Sequence, residues 1–207
     1  MKRSGIRTTV FNLLGLAFIG VLLAATASPP PQTHSSDIVL DVDPAQSKIH
    51  WTLGATAHTV HGTFALKRGD LHIDPATGKA GGEIVADASS GESGNDSRDK
   101  KMHKEILESE RFSEVVFRPD HLEGKVSPRG SSSVQLHGTF VIHGGEHELI
   151  VPVQAELNAD HWKGTAKFSV PYVSWGLKNP SGFLLKVDPA VEVELELSGN
   201  VLRNSVS

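Results

Sequence analysis

The sequence predicts an all-β fold, an eight-stranded antiparallel barrel with one short helix near its mouth. Apolar and polar residues alternate along most of the chain after residue 37, turn residues separate these runs, and one stretch has the spacing of a helix. Strict alternation gives a strand one dry face and one wet face, which is typical of antiparallel sheet. The chain has 207 residues and no cysteine, so we expect its own apolar core to hold one domain together.

The first 27 residues are predicted to be a signal peptide. An apolar run at residues 10–24 follows a positively charged start and precedes the small-residue cleavage site Ala25-Thr26-Ala27. An uncleaved membrane anchor is the alternative, but the run is shorter than the roughly 20 residues that span a bilayer. We therefore expect a periplasmic or secreted protein with no stable membrane insertion after cleavage.

A proline-rich segment separates the signal peptide from the barrel. Residues 28–36 read SPPPQTHSS, a composition typical of a disordered tether, and the barrel domain is predicted over residues 37–203. Removing the three basic residues of the signal peptide from the 20 in the chain leaves 17, against 24 acidic residues, or a net charge of −7. This balance argues against a nucleic-acid partner and against strong attraction to anionic lipid surfaces.

The strand pattern is clearest where bulky residues share one face. Ile49, Trp51 and Leu53 alternate with polar partners, and turn signals lie at residues 67–70, 74–78, 144–145 and 158–160. The inward positions also include Gly62, Gly138 and Gly164. An inward glycine leaves room and lets a strand bend, which favours a curved sheet around a cavity. An eight-stranded barrel is wide enough for one small elongated ligand.

Residues 97–112, SRDKKMHKEILESERF, form the predicted helix. Asp96 is expected to cap its N-terminus. Met102, His103, Ile106 and Leu107 fall on one side at helical spacing. A lone amphipathic helix among strands is predicted to cover an apolar barrel interior as a lid.

Four segments together resemble the YceI-like family of bacterial periplasmic proteins. They are DPAQSKIHW at 43–51, HTVHGTF at 58–64, the loop and helix from SGNDSRDKK to VVFRP at 93–119, and LHGTFVIHGGEHELIVPV at 136–153. The resemblance spans about residues 43–199 and implies a lipocalin-like barrel. It also implies a non-catalytic carrier or reservoir for a long-chain lipid, a polyisoprenoid or an isoprenoid quinone, with no required cofactor. The segment 175–181 departs from the family pattern, and the chain is rich in histidine.

The lipid-binding residues predicted on this basis fall into three groups. The wall is expected to comprise Trp51, Phe64, Phe140, Ile142 and Phe168. The mouth is expected to comprise Met102, Ile106 and Phe112. The alternation does not fix a register near the C-terminus, where Trp175, Leu177 and Phe183 are predicted to contact the lipid. Glutamate-rich strands disfavour pairing between sheets, which leaves a homodimer through another face open.

The histidines suggest the main alternative to lipid binding, a metal-dependent enzyme. His143-Gly-Gly-Glu-His147 has the H-x-x-E-H spacing of zinc proteases, but that motif requires a helix and the glycines indicate a hairpin in which His143 faces Glu146. The outer, polar faces are expected to carry His50, His72, His137 and His161, and His103 is expected at the rim. No nucleophile motif accompanies them. A metal-dependent enzyme and a ligand-free, stress-related interaction module are the two functions left open beside lipid binding.

Overall fold

The structure, a computed structural model, describes residues 37–56 and 58–202. The predicted signal peptide (1–27) and tether (28–36) lie outside these described residues. Within them the chain forms nine strands and one helical segment. In chain order these are β1 (Ile38–Val42), β2 (Lys48–Gly54), β3 (Thr59–Ile73), β4 (Ala80–Glu92), α1 (Asp96–Lys101) continued by a π-helical stretch (Met102–Leu107), β5 (Glu114–Gly124), β6 (Gly130–Ile142), β7 (Gly145–Leu157), β8 (His161–Val170) and β9 (Val191–Leu202).

The strands form a closed antiparallel barrel. Each strand from β2 to β9 pairs with the next, and β9 returns to pair with β2. The short strand β1 pairs with the end of β3, where Ile38 lies opposite Ile73, and with the end of β9, where Val42 lies opposite Gly199. Both β1 and β2 lie between β3 and β9, so together they occupy one strand position of the barrel, interrupted at residues 43–47. The nine strands therefore fill eight strand positions, and the predicted eight-stranded barrel with one short helix is confirmed.

Two predicted turns differ from the structure. Residues 67–70 lie within β3, where a bulge between Leu66 and Arg68 replaces the turn. Arg68 there donates hydrogen bonds to Glu83 on β4 (3.1 Å) and Glu114 on β5 (2.9 Å), so pairing across three strands outweighs the local turn signal.

The turn between β6 and β7 lies one residue earlier than predicted. Its two residues are His143 and Gly144, both with positive φ (52° and 75°), and Ile142 pairs with Gly145. Two positive φ angles give the turn the twist that an antiparallel hairpin requires. Glu146 consequently lies opposite Val141, and the expected pairing of His143 with Glu146 was wrong.

The helical segment also begins and ends differently from the prediction. Asn95, not Asp96, is the N-cap, since its side-chain oxygen accepts a hydrogen bond from the backbone N–H of Arg98 at 3.0 Å. The segment ends at Leu107 because Glu108 adopts a left-handed conformation (φ 45°). Phe112 therefore lies beyond the helix. Among the described residues, no helix combines the length and apolar character needed to cross a bilayer.

The two ends of the barrel are built differently. The β2–β3, β4–β5, β6–β7 and β8–β9 connections lie at one end, which we call the mouth, and two of them are long (93–113 and 171–190). The connections at residues 43–47, 74–79, 125–129 and 158–160 close the other end, the floor. Buried residues pack there, among them Leu40, Leu157 and Trp162, each 3% exposed. The Trp162 Nε1 donates to the carbonyl of Asp41 at 2.9 Å, which fixes the indole across the interior.

Candidate functional site

The barrel encloses a cavity of about 520 Å³. That volume is typical of small-molecule sites, which are mostly apolar clefts with a few polar groups. Inward-facing residues of the strands form its wall, and Trp162 lies at its inner end. The helical segment contributes Met102, Ile106 and Leu107 at the mouth. The arrangement can enclose an apolar molecule and exclude water from it.

Eight of the predicted contact residues lie together in this lining. They are Trp51, Phe64, Met102, Ile106, Phe140, Ile142, Phe168 and Leu177. The rings of Phe140 and Phe168 meet edge to face with their centroids 6.3 Å apart, and those of Trp51 and Phe64 lie 6.5 Å apart. Strand alternation directs these side chains to one face, which explains why the sequence pattern located them.

Phe112 is placed away from the cavity wall. Its ring packs on the imidazole of His143, with centroids 4.5 Å apart, and the Arg111 guanidinium lies 4.7 Å from its centroid. Because the helix stops at Leu107, the residues that follow turn outward to the β6–β7 hairpin. Phe112 therefore packs the connection between the helical segment and β5 against the β6–β7 hairpin.

Trp175 and Phe183 also lie off the lining, both on the 171–190 connection. Trp175 packs against Phe140 (5.6 Å between centroids) and stacks on His147 at 4.3 Å, so it supports the wall from the rim. Phe183 is 97% exposed. Leu177, predicted with them, does line the cavity and is 4% exposed.

Tyr172 lines the cavity although it is not among the predicted contact residues. Its hydroxyl donates to the carbonyl of Asp188 at 2.8 Å, and the side chain is 5% exposed. Burial, with a smaller effect of the nearby Asp188 carboxylate, raises the pKa of Tyr172 to about 12. A signal was present, since Val170 and Tyr172 continue the alternation of β8 past Pro171.

The inward glycines make room for neighbouring side chains. Gly62 lies directly opposite Trp51 in the β2–β3 ladder, and a Cβ there would overlap the Trp51 indole and the carbonyl oxygen of Glu92. Gly138 faces the carbonyl of Arg118, beside the bulge of β5. Gly164 does line the cavity, next to the Trp162 ring. Gly164 thus borders the cavity itself, whereas the room left by Gly62 and Gly138 is taken up by the Trp51 indole and by neighbouring backbone carbonyls.

Two cationic side chains lie at the mouth of the mostly apolar cavity. Among the described residues, Arg98 and Lys101 are the positively charged side chains of the lining. The Arg98 Nε donates to the Ser93 hydroxyl at 2.7 Å and its Nη2 donates to the Ser93 carbonyl at 2.9 Å. Asp99 accepts from both the backbone N–H and the hydroxyl of Ser93. The Arg98–Asp99 pair thus fastens the loop that precedes the helix.

Polar side chains of the helical segment and of the residue after it contact other parts of the mouth. The Lys178 Nζ lies 2.8 Å from Glu105 Oε2, and this hydrogen bond with the lysine charge lowers the pKa of Glu105. On the other side, His143 Nε2 lies 3.3 Å from Glu108 Oε1. Both contacts join the β4–β5 connection to another connection of the mouth that is distant in sequence, and they hold these connections together.

The histidines of the described residues are distributed around the barrel and are not gathered at one point. Within residues 37–56 and 58–202, no cluster of three or more His, Asp or Glu side chains is placed to hold a metal ion. His143 contacts Glu108 while His147 stacks on Trp175. His50 on β2 pairs with Thr63 in the first half of β3, whereas His72 lies near the end of β3 and pairs with Val39 on β1. His50 and His72 are therefore far apart along β3.

Solved structures share this fold. BcnA from Burkholderia cenocepacia superposes with a TM-score of 0.62 at 15% identity, over 77% of this chain and 99% of that one. A polyisoprenoid binding domain from Saccharophagus degradans, implicated in plant cell wall breakdown, superposes with a TM-score of 0.59 at 15% identity, over 79% of this chain and 98% of that one. At such identity the likeness concerns the fold.

Sequence comparison gives the family. No curated protein matches the chain significantly. Residues 40–199 match the YceI-like domain, and this range takes in β2 to β8, most of β1 and β9, the helical segment and the cavity lining. The chain therefore belongs to the YceI-like family.

Proposed function

We propose that this protein binds a long-chain isoprenoid lipid, or a similar amphipathic lipid, inside the barrel, and that it carries or stores the lipid without catalysis. The observation that carries the proposal is the apolar cavity of about 520 Å³ that opens at a mouth lined by Met102 and Ile106. The polyisoprenoid-binding description of the Saccharophagus degradans domain supports the same ligand class.

The apolar lining supplies enough free energy for this role. Burial of one methylene contributes about 0.8 kcal/mol, so three isoprene units with about fifteen carbons contribute on the order of 12 kcal/mol before the costs of ordering. The lipid tail then needs no charged side chain to hold it. Because an apolar channel discriminates weakly between tails of similar width, selectivity would have to come from the lipid head group. Arg98 and Lys101 are the charged side chains of the lining that could contact the head group.

The proposed location follows from the predicted signal peptide at residues 1–27. Export would place the barrel in the periplasm or outside the cell. Lipid transfer between membranes through an aqueous space requires a water-soluble container for the tail, because an exposed isoprenoid chain is costly in water. The proposal thus joins the cavity to the predicted compartment.

Native purification followed by solvent extraction and mass spectrometry tests the proposal. We expect an isoprenoid lipid to co-purify in a stoichiometric amount. We also expect an added short-chain isoprenoid quinone to quench the fluorescence of Trp51 and Trp162, which line the cavity. Absence of both a co-purified lipid and quenching would contradict the proposal, and stoichiometric zinc or iron in elemental analysis would favour the metal-dependent enzyme.

A further inference from the structure

Three consecutive large apolar residues project from the mouth. Phe183 is 97% exposed, Leu184 86% and Leu185 40%, and we call residues 182–185 the apolar tip. Elsewhere among the described residues, the exposed large apolar side chains are the separate Ile150 (51%) and Leu202 (50%). Isolated apolar residues are normal on a surface, whereas a cluster at one end marks a site of interaction.

Hydrogen bonds at its base hold the apolar tip in place. The Gly182 N–H donates to the Leu185 carbonyl at 2.8 Å and closes the turn. Three hydrogen bonds join Lys186 and Thr56. The Thr56 N–H and hydroxyl both donate to the Lys186 carbonyl, at 2.9 Å and 3.2 Å, and the Lys186 N–H donates to the Thr56 hydroxyl at 3.0 Å. The fold therefore presents Phe183 and Leu184 to the outside by specific contacts.

The apolar tip is continuous with the cavity. Leu185 belongs to both, because it lies next to Leu184 and also lines the cavity. Pro180 and Val187, at the two ends of the same loop, line it as well. An apolar molecule can consequently pass from the tip to the interior over apolar surface.

Lysines flank the apolar tip on both sides. Residues 177–187 include Lys178 and Lys186; Lys178 is paired with Glu105, and Asp188 directly follows this segment. Lys101 stands at the mouth on the helical segment. Lysines beside an apolar insertion complement anionic lipid head groups. The net charge of −7 predicted for the mature chain argues against attraction of the molecule as a whole, so the contact would be confined to the mouth.

We propose that the apolar tip docks the mouth of the barrel on the surface of an anionic phospholipid bilayer, with Phe183 and Leu184 inserted at the level of the head groups and Lys186 in contact with them. Membrane docking does not require the proposed lipid cargo. The further step, in which a lipid tail enters past Leu185, rests on the proposed function.

Vesicle co-sedimentation of the full mature chain tests the docking. Wild type, F183S/L184S and the matched control I150S are mixed with vesicles of phosphatidylethanolamine and phosphatidylglycerol, and separately with phosphatidylcholine vesicles. We expect F183S/L184S to lower the partition coefficient at least about tenfold and I150S to leave it unchanged. We also expect binding to phosphatidylcholine to be weaker because the lysines lose their anionic partners.

Equal partition of wild type and F183S/L184S would overturn the docking proposal. So would a dimer in analytical ultracentrifugation that F183S/L184S converts to a monomer, because a second copy would then be what covers the tip. Binding of dispersed farnesol, measured without vesicles, separates this test from that of the proposed function. We expect F183S/L184S to bind farnesol as wild type does. If wild type does not bind farnesol, that result would contradict the proposed lipid cargo and leave the docking proposal standing.

Discussion

The imidazole of His103 joins the helical segment to the barrel rim through the carbonyl of Gly91. Its Nε2 lies 2.8 Å from that oxygen, and its Nδ1 lies 3.0 Å from the hydroxyl of Ser109. A carbonyl oxygen can only accept, so Nε2 carries the hydrogen in this bond. Ser109 is 5% exposed. One side chain thus connects the end of β4, the π-helical stretch and the residues that follow it.

Substitution of His103 by alanine is expected to loosen the helical segment. Two hydrogen bonds disappear and the buried Ser109 hydroxyl loses a partner, so the free energy of unfolding should fall by about 1–3 kcal/mol. Hydrogen exchange of the amides at residues 102–109 should become faster, and a bound lipid should dissociate faster. Lys104→Ala, an exposed change on the same segment, is the control. Unchanged exchange in His103→Ala would show that the imidazole does not hold the segment.

Phe140→Asp is expected to abolish lipid retention. Phe140 lines the cavity and is 8% exposed, and a carboxylate there would have to be desolvated before a lipid could enter. Affinity for an isoprenoid quinone should fall at least about tenfold. Glu194→Gln, on the outer face of β9 opposite His50 and Lys167, should leave affinity unchanged. Circular dichroism checks that both variants fold. Equal losses in the two variants would contradict the assignment of inner and outer faces.

Tyr172 gives the fold a spectroscopic signal at high pH. It is the single tyrosine of the chain, so absorbance at the phenolate band reports it alone. Burial raises its pKa to about 12 from the ordinary value of 10.0. The protonated form is the one favoured by the fold, so this stabilisation is present below pH 10 and is lost as the pH rises through about 12. We expect no phenolate in the native protein at pH 10.5 and partial ionisation after unfolding in urea at that pH. Ionisation of native Tyr172 near pH 10 would mean that the hydroxyl is open to solvent.

Gly62→Ala is expected to destabilise the barrel. The added methyl group would overlap the Glu92 carbonyl oxygen and the indole of Trp51, and overpacking of this kind costs about 1–3 kcal/mol. Gly81 is the matched control because a Cβ there meets no atom within 4 Å. Urea unfolding should therefore separate the two alanine variants. Equal stability would show that the Trp51 indole can move away from Gly62 at little cost.

The sequence determined the class of fold and most of the cavity lining. Because side chains alternate along a strand with a period of two, local pattern alone directs Trp51, Phe64, Phe140 and Phe168 to one face. Helical spacing in the same way places Met102 and Ile106 together. These rules act over a few residues, and the structure follows them wherever an element is regular.

The tertiary structure decided the positions where a distant contact outweighs the local pattern. Phe112 turns away from the cavity because the helical segment ends at Leu107 and the ring of Phe112 packs on His143. Phe183 is exposed because Lys186, close by, is bound to Thr56, which is 130 positions away in sequence. Closure of the barrel joins β2 to β9 over a similar separation. Such contacts depend on which segments meet in space, a property that spacing along the chain does not encode.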